Sequence, residues 1–310
     1  MANPSESKVP LILDVDTGVD DALALALAVC WSRVELVAVT TVAGNVDVGL
    51  ATSNTLTVLD WFGATEVPVH RGASRPLARP LITATHFHGE DGLGDAKLPP
   101  SRREIGPDRG PAAMIRLARA RPGELTLVCV GPLTNLAIAL NVEPSLPELV
   151  AGVVLMGGAY WVPGNITPEA EFNILVDPDA AAQVFEAAPH FRHLTAIGLD
   201  VSHQTSLTRR DWEASRAATD HAGGLLARIA HRSFEHRRQP EFHLHDPLAL
   251  AVAVDPSLVE CEHASVEVAL EGESRGRTRP TGPGPVRVAR SVDAARFLHL
   301  FRATLGLPDP

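Results

Sequence analysis

Short apolar runs rich in β-branched residues alternate along the chain with longer segments whose apolar positions recur at helical spacing. The pattern predicts strands at Val9–Val15, Val34–Val42, Val67–His70, Leu125–Val130, Gly152–Met156, Leu194–Leu199, Val266–Leu270 and Val286–Ala289. It predicts helices at Asp21–Cys30, Gly49–Trp61, Pro111–Ala120, Pro178–Ala188, His221–Arg237 and Val292–Leu305. Continuous apolar strands separated by helices are typical of a mostly parallel sheet that is covered on both faces. We therefore expect an α/β fold with a single domain over residues 1–310, built on an open sheet, in which residues 1–8 are flexible.

Composition and charge exclude several classes of function. Hydrophobic residues make up 45% of the 310 and charged residues 21%, which is usual for a globular protein. The formal net charge is −10 and no basic stripe is visible, so we expect no nucleic-acid partner. No apolar run approaches the ~18 residues of a membrane span, so no membrane partner is expected. The start, MANPSESKVP, lacks a leader pattern, and three scattered cysteines suit a reducing compartment, so we expect a cytoplasmic location.

The first polar cluster follows the first predicted strand. In LILDVDTGVDDALALALA, four aspartates fall within eight positions between apolar runs: Asp14, Asp16, Asp20 and Asp21. A helix dipole favours acids in its first turn by only ~0.3–1 kcal/mol each, which is too little to hold four carboxylates together. A hard divalent cation is therefore the better hypothesis, and a solvated acidic turn is the alternative.

Further polar residues follow other predicted strands, at the edge where open α/β sheets bind ligands. Asn45 follows the second strand in TTVAGN, either as a sugar ligand or as a turn residue. In LVCVGPLTNLAIAL, helix capping explains most of the polar residues, but the main-chain oxygen of Val130 could bind a cation. In LMGGAYWVPGNITPEAEFNILV, a loop places Asn165, Glu171 and Asn173 beside apolar side chains, as a sugar pocket requires. Chance polar residues of a surface loop are the alternative there.

Two stretches carry paired histidines. In FHLHDPLALAVAV, Asp246 fits the start of a helix, but helix capping does not explain His243 and His245 before it. In ATHFHGEDGLG, His86 and His88 stand among acids and glycines. A zinc site is one interpretation of that spacing, and a mobile flap whose histidine faces a ligand is the favoured one.

Together these elements resemble the nucleoside hydrolases, which split ribonucleosides into base and ribose. The family signature DxDxGxDDAxA matches residues 14–24, and the TTxxGN, GPLTN, LMGG, GN…EFN and HDP elements follow in the family's order. The similarity runs from about Leu11 to Leu300. It implies an open α/β sheet with a Rossmann-like core, a small-molecule ribonucleoside as substrate, a role in nucleoside salvage, and assembly into homodimers or homotetramers.

The resemblance also implies roles for individual residues. The expected ligands of a Ca²⁺ ion are Asp16, Asp21, the main-chain oxygen of Val130, and Asp246. The expected ribose-binding groups are Asp20, Asn45, Asn165, Glu171, Asn173 and Asp246, with Met156 packed near the sugar. His88 and His245 would face the base. The stretch SFEHRRQPEFHLHD lacks the tyrosines that some purine-using members carry, so the base preference stays open.

Cleavage of an N-glycosidic bond passes through an oxocarbenium-like transition state, which requires an activated water and help for the departing base. We expect Asp16 to act as both calcium ligand and general base, and His245 to act as the leaving-group acid. Two alternatives stay open. Asp14-Val15-Asp16-Thr17 is similar to the DxDxT motif of phosphatases with an Asp nucleophile, and a non-catalytic nucleoside- or sugar-binding protein could share the same pocket.

Overall fold

The computed structural model describes residues 7–217 and 221–307. The segment expected to be flexible, residues 1–8, lies outside the described residues except for its last two. The strands are β1 Val9–Val15, β2 Val34–Thr41, β3 Val69–Arg71, β4 Thr126–Cys129, β5 Gly152–Met156, β6 Leu194–Ile197, β7 Ser206–Thr208, β8 Glu241–His243, β9 Val259–Ala264, β10 Val266–Val268, β11 Thr278–Pro280 and β12 Val286–Val292.

The helices are α1 Val19–Cys30, α2 Val48–Trp61, α3 Thr85–His88, α4 Gly110–Ala120, α5 Thr134–Val142, α6 Leu146–Leu149, α7 Phe172–Val176, α8 Pro178–Glu186, α9 Leu199–Ser202, α10 Arg209–Ser215, α11 His221–Ile229, α12 His245–Val254 and α13 Ala294–Leu305. One-turn 3₁₀ segments lie at Ala188–His190 and Pro256–Leu258, and a π turn at Arg232–His236. No helix among the described residues combines the length and apolarity that a membrane crossing requires.

The described residues form a central eight-stranded sheet in the order β3-β2-β1-β4-β5-β6-β12-β9. Every neighbouring pair is parallel except β12 and β9, which are antiparallel. Because side chains alternate along a strand, Leu11 and Leu13 pack into one core with α1, α2, α12 and α13, whereas Ile12 packs into a second core with α4, α5 and α8. The predicted open, mostly parallel α/β sheet with helices on both faces is confirmed.

Several elements differ from the sequence-based prediction. The edge strand β9 was missed because its sequence, VECEHA, alternates partly exposed polar residues with few buried apolar ones. The predicted strand Val266–Leu270 lies outside the central sheet, since β10 pairs only with β11. The predicted helix His221–Arg237 ends at Ile229 and is followed by the π turn, which places Phe234 in a stacked contact with Trp212 at a ring-centroid distance of 5.5 Å.

The topology brings four strand ends to one edge of the sheet. In β1, Asp14 lies opposite Thr40 of β2 and opposite Cys129 of β4, which in turn lies opposite Leu155 of β5. The turns that follow these strands carry most of the polar residues predicted to form the site, whereas His88, His245 and Asp246 come from α3 and α12. Their convergence is therefore a consequence of strand order and register.

Candidate active site

Three carboxylates converge at this edge. Oxygens of Asp20, Asp21 and Asp246 lie within 4.8 Å of one another. Asp20 and Asp21 occupy the first turn of α1 and Asp246 the first turn of α12, and these two helices pack side by side. Asp21 and Asp246 are buried and Asp20 is half-buried. The packing of α1 against α12 therefore brings three carboxylates of like charge together at the N-termini of the two helices.

Asp16 lies just behind these three carboxylates. Its backbone N–H donates to Asp21 Oδ1 at 3.1 Å, and its Oδ2 accepts from the backbone N–H of Asn45 at 2.6 Å. The Asn45 side chain donates to Asp21 Oδ2 at 3.1 Å. A Cβ at Gly44 would overlap Asp16 Oδ2, and one at Gly131 would lie 3.0 Å from its Oδ1, so two glycines make room for this carboxylate. Asp16 Oδ1 is buried and has no hydrogen-bond partner among the described residues.

The electrostatics of this cluster favour a bound cation. Burial raises the pKa of Asp20 to about 7, and the charge of Asp21 adds to this effect. Burial also raises the pKa of Asp16, Asp21 and Asp246, and neighbouring carboxylates raise that of Asp16 and Asp246 further. Carboxylate oxygens, one of them unpaired, are the ligands that a hard divalent cation prefers. The residues present therefore fit such an ion.

Asp14 stands apart from the cluster. It is fully buried, and its Oδ1 accepts from Thr40 Oγ1 at 2.6 Å and from Asn135 Nδ2 at 2.7 Å. The phosphatase hypothesis needs this first aspartate of the DxDxT-like stretch as an accessible nucleophile. Because Asp14 Oδ1 is bound to side chains of the sheet edge, the structure gives no support to Asp14 as such a nucleophile.

A polar wall faces the acidic cluster across the cavity. Asn173 Nδ2 donates to the carbonyl oxygen of Val130 at 2.7 Å, and it also lies 3.2 Å from the Met156 carbonyl oxygen and 3.4 Å from its sulfur. Glu171 caps α7, because its Oε1 accepts from the backbone N–H of Asn173 and its Oε2 from those of Gly158 and Ile174. The wall is thus fixed by bonds within the chain.

The exposed Asn165 holds the loop before α7. Its Oδ1 accepts from the backbone N–H of Phe172 at 3.0 Å. This bond fixes the loop that carries Glu171 to the start of the helix that Glu171 caps. Asn165 therefore lies at the outer end of the polar wall.

Two predicted histidines lie on the cavity wall with defined hydrogen bonds. His88 Nδ1 accepts from the backbone N–H of Val19 at 3.1 Å, so the neutral ring carries its proton on Nε2. Burial lowers the pKa of His88 to about 3. His245 Nδ1 lies 2.8 Å from Ser202 Oγ, and burial, with His243 next, lowers its pKa well below the usual value. Both rings are therefore neutral near pH 7.

A cavity of about 350 Å³ joins these groups. All the predicted site residues line it except Asp16 and Asp21, which lie directly behind its wall. The sequence analysis missed His203 and Phe87, which also line it. His203 follows β6 at the ligand-binding edge of the sheet, so the strand-end rule was a signal that could have found it.

The zinc interpretation of the His86–Asp91 stretch gains no support. In residues 7–217 and 221–307 the detected group of potential metal ligands is the aspartate cluster alone. The Asp91 carboxylate instead accepts from the backbone N–H groups of Leu93, Asp95 and Lys97, and so shapes the loop.

Comparison with known proteins places the whole chain among relatives of similar length. A family model described as inosine-uridine preferring nucleoside hydrolase matches residues 11–299. The chain is 35% identical to the probable uridine nucleosidase 2 of Arabidopsis thaliana, over 94% of this chain and 95% of that protein. It is 38% identical to the pyrimidine-specific ribonucleoside hydrolase RihA of Shewanella woodyi, over 96% and 97%. The solved purine-preferring ribonucleoside hydrolase from Gardnerella vaginalis superposes with a TM-score of 0.90, at 35% identity, over 96% of this chain and 98% of that one.

Proposed function

Because the chain belongs to the inosine-uridine preferring nucleoside hydrolase family, whose members hydrolyse the N-glycosidic bond of ribonucleosides, we propose that it does so as a calcium enzyme with Asp16 as general base. The observation that carries the proposal is the convergence of Asp20, Asp21 and Asp246, whose oxygens lie within 4.8 Å of one another beside a cavity of about 350 Å³. The relatives named above differ in base, so their names leave the base preference of this chain open.

We propose Asp16, Asp21, the Val130 main-chain oxygen and Asp246 as the calcium ligands. The convergence supports Asp21 and Asp246, and the unpaired Oδ1 supports Asp16. Asp20 belongs to the same convergent group, and we propose that it also holds a ribose hydroxyl. When bound, Ca²⁺ would offset part of the charge of the carboxylates, coordinate ribose hydroxyls and orient a water.

The remaining chemistry falls to side chains of the cavity wall. We propose that Asn45, Asn165, Glu171 and Asn173 hold the ribose through its hydroxyls, with Met156 against the ring. The negative field of the carboxylates favours a sugar that gains positive charge, so these groups bind the transition state more tightly than the substrate.

In the bond-breaking step, the attacking water forms a bond to C1′ as the bond from C1′ to the base nitrogen breaks. Asp16 takes the proton of this water, and the electrons of the broken bond leave with the base. We propose that His88 and His245 face the departing base and that His245 assists it as the leaving-group acid. Because the His245 ring is neutral at rest, it can act as the acid only after it takes up a proton from solvent. It then gives that proton to the departing base, and the proton on Asp16 returns to solvent, so the step balances.

The test is a panel of ribonucleosides incubated with the protein, with and without a calcium chelator, and assayed for reducing sugar. We expect release of ribose that stops on chelation and returns with added Ca²⁺. Asp16→Ala should abolish release, whereas Glu186→Gln, which removes an exposed carboxylate of α8, should not. Release of intact nucleoside after long incubation would favour the binding-protein alternative, and full activity in Asp16→Ala would refute the assignment.

Assembly into a homodimer or homotetramer, a cytoplasmic location and a role in nucleoside salvage stay predictions from the family resemblance. Sedimentation of the purified protein tests the first of them, because a monomer at micromolar concentration would contradict it.

A further inference from the structure

A second cavity, of about 890 Å³, lies between the end of β3 and the helices α4 and α5. It shares no lining residue with the cavity of the proposed active site. Four arginines line it: Arg71 at the end of β3, Arg109 directly before α4, and Arg116 and Arg119 within α4. The proposed function uses none of them, so their concentration around one cavity, in a chain of net charge −10, is unexplained.

Ion pairs within the chain account for only two of the four arginines. Arg116 Nε lies 2.7 Å from Asp108 Oδ2, and the Arg119 guanidinium pairs with the Glu143 carboxylate. The side chains of Arg71 and Arg109 make no hydrogen bond or ion pair within residues 7–217 and 221–307. A guanidinium carries five N–H donors and no acceptor. The wall therefore keeps two positive charges, each with donors that are free to bind an anion.

The floor of this second cavity is already fixed by hydrogen bonds. The backbone N–H of Gly72 donates to the Thr41 carbonyl oxygen at 2.8 Å, and that of Ala73 donates to Asn135 Oδ1 at 2.8 Å. The helix α4 begins at the same wall, and no side chain caps its first turn, so its dipole adds to the positive potential of the arginines. A ligand would therefore meet a site that needs little ordering.

The two ends of the cavity differ in character. Arg71 and Arg109, which have no anionic partner in the described chain, stand where α4 begins. At the other end, where α4 and α5 finish, Arg119 is neutralised by Glu143. Ile138 and Val142 line the cavity there, four residues apart on one face of α5, and Val142 is 70% exposed although it is apolar. The cavity thus has a cationic end and an apolar end.

These two ends select a ligand that is anionic at one side and apolar at the other. A phosphate monoester carries a charge of about −1.5 to −2 near pH 7, which matches two unpaired guanidinium groups that can each bind it through two parallel hydrogen bonds. A cavity of this volume holds more than a free phosphate. A flat heteroaromatic base would cover aliphatic side chains with its face while its polar edge stays in water. A second copy of the chain fits less well, because it would bring its own arginines into the same interface.

We propose that the second cavity binds a nucleoside monophosphate, with its phosphate between Arg71 and Arg109 and its base against Ile138 and Val142. This binding site is separate from the proposed hydrolysis, since the two cavities have no residue in common.

The test is titration calorimetry of the calcium-loaded full chain with thymidine monophosphate. This probe lacks the 2′ hydroxyl that the proposed active site would hold, so it discriminates against binding there. We expect one bound molecule per chain, and at least about tenfold weaker binding of thymidine and of inorganic phosphate, which each lack one half of the ligand. Arg71→Gln and Arg109→Gln should each weaken binding about tenfold or more, because each removes charged hydrogen bonds to the phosphate.

The matched control is Arg210→Gln, which removes an exposed arginine of α10 outside this cavity and should bind the nucleotide like the unsubstituted protein. Ribose release from ribonucleosides, measured without nucleotide, should be unchanged in all three variants, which also shows that they fold. Affinity in both Arg71→Gln and Arg109→Gln within twofold of the unsubstituted protein would overturn the inference, as would inorganic phosphate that binds as tightly as the nucleotide. A protein that binds the nucleotide through these arginines but splits no ribonucleoside would refute the proposed function and leave this inference intact.

Discussion

Replacing Asp246 by asparagine should stabilise the metal-free protein while removing its response to calcium. Three carboxylates are held within 4.8 Å of one another by the packing of α1 against α12. Without a cation, their repulsion and burial oppose folding. An asparagine at position 246 keeps the shape of the side chain and removes one of the charges.

The size of the effect follows from Coulomb's law. Two unit charges 4.8 Å apart repel by about 0.9 kcal/mol in water-like surroundings and by about 3.5 kcal/mol at an effective dielectric constant of ~20. Asp246 faces Asp20 and Asp21, but partial protonation of the cluster relieves part of the repulsion near pH 8. We expect Asp246→Asn to raise the free energy of unfolding by about 2 kcal/mol at that pH, or Tm by roughly 3 °C for a chain of this length.

The sign of the pH dependence gives an internal check. The pKa of Asp20 rises from 3.8 to about 7 in the folded protein, so the folded state binds more protons than the unfolded chain between those values. Stability of the metal-free protein therefore gains from this group as pH falls through 7, and the advantage of Asp246→Asn should shrink towards pH 5.

The assay is thermal unfolding in a calcium chelator at pH 8 and pH 5, and again with calcium. At 100 times its dissociation constant, calcium should stabilise the unsubstituted protein by about 2.7 kcal/mol and the variant by much less. Glu186→Gln serves as the control for loss of one exposed carboxylate. A variant less stable than the unsubstituted protein in chelator at pH 8 would refute the electrostatic reasoning.

Three other substitutions test separate parts of the site. Between pH 7.5 and 5.5 the unsubstituted protein should lose about 1.4 kcal/mol of unfolding free energy from His88, because the native site keeps His88 neutral while the unfolded chain is protonated below about 6.5. His88→Gln should abolish this loss, and denaturant titrations at both pH values measure it. Asn173→Leu should raise KM for any ribonucleoside about tenfold, since it removes the amide between the Val130 carbonyl and the sugar, and initial-rate kinetics measure this. Glu171→Ala should lower the free energy of unfolding by about 1–2 kcal/mol through loss of the α7 cap. An unchanged unfolding curve would show that the cap does not stabilise the fold.

The apolar runs were sufficient to predict seven of the eight strands of the central sheet, because strands buried on both faces carry a continuous hydrophobic signal. β1 and β5 lie at the predicted bounds. β9 carried no such signal, since half of an edge strand faces water. The π turn at Arg232–His236 was missed for another reason, because it depends on a contact between Phe234 and Trp212 that no local pattern encodes.

Most of the cavity wall could be predicted for a related reason. In a parallel sheet all strand ends meet at one edge, so polar residues after strands converge without any knowledge of contacts. The sequence did not predict which of these residues reach the cavity surface. Asp20 lines the cavity and Asp16 lies behind its wall, although both belong to one motif. The contact between the rings of His203 and His243 could not be predicted either, because the two residues come close only through the short β7–β8 ribbon.

The most direct test of the calcium site is anomalous diffraction from crystals grown with calcium and ribose. The account predicts a calcium peak about 2.3–2.6 Å from carboxylate oxygens of Asp21 and Asp246, with the ribose hydroxyls on its open side. Ribose bound in the cavity with no anomalous peak beside these aspartates would contradict it.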